Sequence, residues 1–237
     1  MNLYNSISRR RSCRSYQEAN LSNKELEAIK DALENFRLLY PDLPLKFRFA
    51  SETKGMFNVK APHYLVISGS GKKGEQENAG FIGQQLLLWL DAHDYGAVWL
   101  GGSRDATETF SASDIIVMAF GRPAGPFRRT IEEFKRKPIE SITNDPLNNC
   151  VQAVRLAPSG MNFQPWYLKK KDNKVLFYRE ILKPHLALAY KLTRIDMGIA
   201  LCYYYLACEK EGRTFNFTLG GQAPRVRGYK YYGFVES

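Results

Sequence analysis

Hydrophobic and polar positions follow two periods along this chain, and the changes of period mark its elements. From Ser22 to Phe36, the apolar residues Leu26, Ile29, Ala32, Leu33 and Phe36 recur at helical spacing. Ser22 followed three residues later by Glu25 is a capping box, so a helix is predicted over 22–36. Leu45 to Ala50 and Tyr64 to Ser68 read as strands, the first by alternation, with a Gly/Ser/Lys loop from Gly69 to Gly74 after the second. A long helix is predicted from about Asn78 to His93, ended by Gly96. Its apolar residues spread around most of its surface, which predicts a buried, central position. Ile115 to Phe120 is a β-branched run that predicts an interior strand.

The same order then recurs. Pro146 to Leu156 predicts a helix with Leu147, Cys150, Val151 and Val154 on one side. Tyr167 to Lys171 and Val175 to Arg179 form a strand pair around Asp172-Asn173. Arg194 to Glu211 predicts a second dense apolar helix ending at Gly212, with strands at Thr214 to Leu219 and Tyr229 to Val235. Setting Gly96 opposite Gly212 pairs Leu90 with Leu206 and Ala92 with Cys208. The fold class expected is α+β, with antiparallel or mixed central sheets and buried long helices. The recurrence suggests two related αβ units fused in one chain, 1–142 and 143–237, joined near Thr143 to Pro146. Two like units usually pack with their buried helices facing, as in a symmetric dimer, and a ligand at such a seam takes one wall from each.

Of 237 residues, 44% are hydrophobic and 13% aromatic, which fits a sizeable folded core. The longest apolar stretch, Phe81 to Leu90, is broken by Gly83, Gln84 and Gln85 and falls short of the roughly 20 residues a bilayer needs, so no membrane span is expected. The first residues, with Asn2, Tyr4 and then three arginines, do not read as a secretory signal. Cys13, Cys150, Cys202 and Cys208 form no Cys-x-x-Cys pair and read as free thiols of a reducing cytosol, so a cytoplasmic location is expected. His63, His93 and His185 lack ligand spacing, and no metal is expected. The net charge of +10 suits nucleic acid, an acidic surface or an anionic ligand. Without a zinc finger, an RRM-type aromatic signature or a helix-turn-helix, a nucleic-acid partner is not expected; a basic protein keeping only the fold is the weakest reading of that charge.

Two segments concentrate the candidate chemistry. Arg9-Arg10-Arg11-Ser12-Cys13-Arg14-Ser15-Tyr16 gathers cations around a hydroxyl, a set suited to phosphate, although such arginines also serve as solvated groups or partners of acids such as Glu18. Ala157-Pro158-Ser159-Gly160-Met161-Asn162-Phe163-Gln164-Pro165-Trp166 is a loop of small and amide side chains, suited to hydrogen-bonding a planar polar ligand or, alternatively, an ordinary helix-ending turn.

On these motifs the chain resembles the flavin-dependent nitroreductase family. Arg10 to Tyr16 is similar to that family's opening Arg-Arg-Ser-x-Arg motif, and Ala157 to Trp166 to its Ala-Pro-Ser-x-x-Asn-x-Gln-Pro-Trp motif. Tyr95 to Gly102 looks like the segment that touches the flavin ring, and Ile116 to Pro123 with Lys135 to Pro138 like the final strand and basic tail. The Pro-Ser-Asn-Gln-Pro-Trp loop usually follows the first helix; here Leu39 to Pro44 lacks it, and it comes only after Pro146. That order resembles the branch in which one chain imitates the usual homodimer, keeping one flavin site of two.

The resemblance implies a nitroreductase-like fold and an FMN-dependent NAD(P)H oxidoreductase. Hydride would pass through flavin N5 from NADH or NADPH to a small acceptor, such as a nitroaromatic or a quinone, with no side-chain nucleophile. The alternative is a flavin-binding protein with little turnover. Phosphate and ribityl are expected on Arg10, Ser12 and Arg136, with Arg11 adjacent. Arg14 is expected at the N1 and C2-carbonyl edge, Lys54 or Lys60 being a second cation there. Gly101 and Gly102, after Trp99 and Leu100, would present backbone to N5 and O4. Pro158, Ser159, Gly160 and Asn162 would form the opposite wall, with Trp166 mainly core. Tyr16, Phe57, Phe81 and Phe163 are candidates for lining the acceptor pocket. The chain would be a pseudo-dimeric monomer, further self-association being open.

Overall fold

The computed structural model describes residues 2–107, 113–183 and 187–236, without the side chains of 187–191; His185 lies outside them. The chain divides into two compact units, Met1–Glu133 and Phe134–Ser237. This division falls nine residues before the join read from the sequence, because residues 134–142 bond into the second unit. Lys137 N–H donates to Gln164 Oε1 at 2.7 Å, and Ile142 C=O accepts from Leu168 N–H at 2.8 Å.

The first unit opens with a 3-10 turn, Leu3–Ser6, and then α1, Asn23–Asn35. The predicted capping box is present: Ser22 Oγ accepts from Glu25 N–H, and Glu25 Oε2 accepts from Ser22 N–H at 2.8 Å. Strands β1 (Lys46–Ala50), β3 (His63–Ser68), β4 (Gly96–Leu100) and β6 (Asp114–Gly121) form an antiparallel sheet in the order β1-β3-β6-β4, with β6 interior as expected. The hydrophobic pattern does not announce a second, two-stranded sheet. There β2 (Thr53–Gly55) pairs with β5 (Ser103–Asp105), strands too short to show a period.

Helix α2, Glu75–Ala92, is buried nearly all round, as its composition predicts. The polar residues that interrupt it are clamps. Asn78 Nδ2 donates to Tyr40 and Leu43 C=O, both at 2.9 Å, while its Oδ1 accepts from Tyr40 N–H at 2.8 Å. Gln85 Nε2 donates to Arg37 C=O at 2.8 Å. The helix does not end at Gly96. Asp94 takes the left-handed turn (φ 64°), and Tyr95 N–H closes back on Leu90 C=O at 2.8 Å, a Schellman end. Gly96 is small for another reason: a Cβ there would stand 2.5 Å from Cys13 Sγ.

The second unit holds α3 (Asn149–Leu156), capped by Asn148, and strands β7 (Trp166–Lys171), β8 (Lys174–Glu180), β9 (Phe217–Leu219) and β10 (Tyr229–Glu236). Helix α3 starts later than predicted, and Leu147 stands outside it, 89% exposed. Strand order is β7-β8-β10-β9, antiparallel throughout, with the long helix α4 (Ala187–Lys210) between the second and third strands. Gly212 (φ 67°) ends α4 in the same Schellman form, Arg213 N–H donating to Cys208 C=O at 2.8 Å.

The expected α+β class holds. Leaving aside the β2–β5 ribbon, each unit runs helix, strand, strand, long helix, strand, strand, and each sheet takes these strands in the order first, second, fourth, third. The helix ends correct the alignment of the repeat: Asp94 matches Gly212, so Leu90 matches Cys208 rather than Leu206. Among the described residues no helix is long and apolar enough to cross a membrane.

Candidate functional site

The arginine-rich segment of the first unit is laid along the edge of the sheet by backbone pairing. Ser12 bridges Ala97 beside β4, Cys13 N–H donates to Ala97 C=O at 3.1 Å, and Arg10 bridges Arg128. Tyr16 pins the far end, its hydroxyl donating to Cys13 C=O at 2.7 Å and to Ala119 C=O at 3.2 Å. Burial pushes that phenol's pKa upward, so Tyr16 serves here as a fixed donor.

Within this frame the arginines separate. Arg9 is spent on Asp91 (2.9 Å), while Arg11 and Arg14 are exposed. Arg10 is 1% exposed, and its Nη2 donates to Ser12 Oγ at 3.1 Å. Among the described residues its Nε and Nη1 have no hydrogen-bond acceptor. A buried guanidinium with two unmet donors costs free energy unless an anion completes it, a charge chemistry that suits a phosphate or a similar dianion. Glu18, the alternative partner, is instead 3.4 Å from Lys60.

The segment after β4 turns directly into a short strand, β5. Gly101 and Gly102 form a turn between β4 and β5. Trp99 Nε1 donates to Gln84 on α2 at 3.1 Å, and Leu100 is core, so both side chains are committed and only backbone is offered here. Part of that backbone is already used, Met56 N–H reaching Gly102 C=O at 3.4 Å. Lys54 is exposed on β2, and Phe57 stands half exposed beside the turn, its carbonyl accepting from Ser103 Oγ at 2.7 Å. Phe81, a candidate for the acceptor pocket, is fully buried in α2.

The second unit's loop leads from α3 to β7. It is a tight turn, Gly160–Asn162, and Met161, Asn162 and, just beyond it, Gln164 all have positive φ (49°, 58° and 49°). Non-glycine residues in this region cost of the order of 1 kcal/mol each, and three in four positions persist only because the surroundings hold them. Several bonds do so. Ser159 Oγ accepts from Gln164 N–H at 2.8 Å, and Gln164 Nε2 donates to Asn162 C=O at 3.0 Å. Arg136 Nη1 donates to Asn162 Oδ1 at 2.9 Å, and Asn162 Nδ2 donates to Lys135 C=O at 2.9 Å. Arg136 also reaches Leu156 C=O at 3.1 Å. Arg136, Ser159, Gly160 and Asn162 are therefore brought together, with Pro158 adjacent and half-buried, while Phe163 is half-buried behind them. Trp166 is fully buried core.

Two residues here were missed by sequence reasoning. Gln164 was legible as part of the motif but had no assigned role; it is the buried organiser of the turn. Asp196, on α4, accepts the Gly160 N–H at 2.9 Å, and burial drives its carboxyl up to about 7 against the lowering pull of that one bond. No local signal marks it, because its partner lies 36 residues earlier.

Comparison with known proteins follows this geometry. A family model described as "Putative TM nitroreductase" matches residues 2–208. A crystal structure of a nitroreductase from Thermotoga maritima, itself described as putative, is similar with TM-score 0.71 at 23% identity, covering 100% of this chain and 94% of that one. A nitroreductase family protein from Clostridium difficile 630 is 17% identical (TM-score 0.47), covering 60% of this chain and 96% of its own. An FMN-dependent nitroreductase from Clostridium difficile R20291 is 15% identical (TM-score 0.39), covering 51% and 87%. Among curated proteins none matches. The Thermotoga likeness is one of fold, and it is the fold that the two motifs led us to expect.

Proposed function

Since the chain belongs to the nitroreductase family whose model it matches over residues 2–208, an oxidoreductase family, we propose that it is an FMN-dependent enzyme passing electrons from NADH or NADPH to a small acceptor such as a nitroaromatic or a quinone. The observation that carries the FMN reading is the buried Arg10 guanidinium, with two nitrogens facing no acceptor among the described residues and Ser12 bonded to the third.

On this reading Arg10, Ser12 and Arg136 hold the phosphate and ribityl chain. Charge-assisted donors of this kind suit a dianion. Arg14, with Arg11 nearby and Lys54 or Lys60 as a second cation, sits at the pyrimidine edge, where a positive charge stabilises negative charge on the ring. Pro158, Ser159, Gly160 and Asn162 supply the opposite wall, and the Gly101-Gly102 turn supplies backbone donors, positioned by the buried Leu100 and the anchored Trp99. When bound, FMN supplies the hydride chemistry; the chain's own residues bind, orient and tune it.

The shared strand order of the two units supports reading each as one nitroreductase-like unit and the chain as a pseudo-dimer with a single site. In the first unit the loop between helix and first strand is closed by Asn78, whereas the second unit carries the Pro-Ser-Gly-Met-Asn turn there. The four free thiols suit a reducing cytoplasm.

Purified protein incubated with FMN and freed of excess should be yellow, and anaerobic NADH or NADPH should bleach it. A colourless preparation that takes up no FMN contradicts the reading. A yellow one that neither nucleotide bleaches indicates a flavin-binding protein without turnover.

A further inference from the structure

The two long helices carry the same device at the same height. Asn78 stands sixteen residues before the left-handed Asp94 that ends α2, and Asp196 sixteen residues before the left-handed Gly212 that ends α4. Each grips the loop joining its unit's first helix to its first strand. Asn78 locks residues 40–43 with three bonds, donating two and accepting one. Asp196 holds its loop by one bond, from Gly160 N–H at 2.9 Å, at the start of the strained turn. An ionised carboxylate has no proton to donate, so it cannot copy the amide's other two bonds.

We propose that Asp196 is the positioning residue of the flavin-holding turn, fixing residues 159–162 through the Gly160 N–H as Asn78 fixes the corresponding loop of the first unit. The inference rests on the FMN reading above. It concerns a residue that touches the turn and not the cofactor, so its role is to place Ser159, Gly160 and Asn162.

The surroundings isolate this contact. Asp196 is 4% exposed and forms no ion pair among the described residues. One turn away on α4 stand Leu192, Thr193, Ile199 and Ala200, all uncharged. On the loop side the charged groups are Arg136, bonded to Asn162, and Lys137, bonded to Gln164 and Glu180. Burial lifts the Asp196 carboxyl to about 7, so its ionisation is readable from the amide it accepts.

The test uses the full chain. In ¹⁵N-labelled protein without FMN, the Gly160 amide resonance should titrate with a midpoint near 7 and stay flat in Asp196→Asn. In FMN titrations followed by flavin fluorescence, Asp196→Ala should weaken binding about tenfold, and Asp196→Asn, which keeps an acceptor oxygen, should stay within about twofold of wild type. If Asp196→Ala fails to fold, the Gly160 amide titration in wild type and Asp196→Asn, together with the FMN affinity of Asp196→Asn, carries the test. A Gly160 amide that does not titrate, wild-type affinity in Asp196→Ala, or an Asp196→Asn no better than Asp196→Ala overturns the inference and leaves the FMN reading standing. Wild-type protein that takes up no FMN overturns both.

Discussion

Single residues decide how the candidate site is held, and their legibility in sequence depends on how far away their partners are. Ser22 and Glu25 are three positions apart, and the capping box they predict is present. Asp94 was missed as a helix end because glycine is the usual left-handed residue; a short polar side chain tolerates the same conformation. Asp196 was missed because one aspartate in an apolar helix carries no period and no motif. Its burial nevertheless has a consequence for stability. The carboxyl's pKa rises from 3.8 in the unfolded chain to about 7 in the folded one. Below pH 3.8 both states are protonated and the contribution is whole. Between the two values the unfolded chain releases the proton while the native state keeps it, so stability falls as pH rises and levels off above about 7. The shift corresponds to roughly 4 kcal/mol at most. Urea unfolding of wild type and Asp196→Asn should therefore diverge with rising pH, the variant gaining on wild type between acid and neutral pH. Parallel curves would mean that the acid is not buried in solution.

At the scale of elements, long periodic segments were legible and short ones were not. Helices α1 and α2 and strands β1, β3, β6, β7, β8 and β10 lie where the pattern put them, within a few residues, while α4 ends as expected but begins at Ala187, well before the Arg194 read from the pattern. The β2–β5 ribbon escaped because three residues cannot display a period, and α3 starts late because Asn148, not Pro146, supplies the cap. How α1 is fastened also depends on non-local contacts. Glu25 accepts from the Tyr95 hydroxyl at 2.5 Å, from Ser22 N–H, and from Arg122 at 2.6 Å. These bonds, the tyrosine's first, hold its carboxyl at about 2. A lowered folded pKa contributes stability that is present above the ordinary value of 4.5 and lost as pH falls through about 2. The carboxylate is a quarter exposed, so water screens part of the effect. Glu25→Gln should melt below wild type near neutral pH and converge with it as pH approaches 2. A constant gap across that range would show that the ion pair and hydrogen bonds are not what anchors α1.

At the scale of the whole molecule, the repeat was visible as a recurring order of elements, and the strand order common to both sheets gives that recurrence a structural basis. The boundary was harder to read, because the basic segment 135–138 follows the last strand of one unit in sequence yet bonds within the other. The two motifs were legible because each is local; the proposal that both hold one flavin goes beyond either, since a cation segment in one unit and a turn in the other carry no sequence signal for the convergence proposed. That convergence is the central claim. It is tested most directly by the stoichiometry and affinity of FMN binding to wild type, Arg14→Ala and Asn162→Ala in one calorimetric titration series. The account predicts one FMN per chain and a loss of about 1–3 kcal/mol in each variant, although the two residues lie in different units. Two flavins per chain, none, or wild-type affinity in both variants would contradict it.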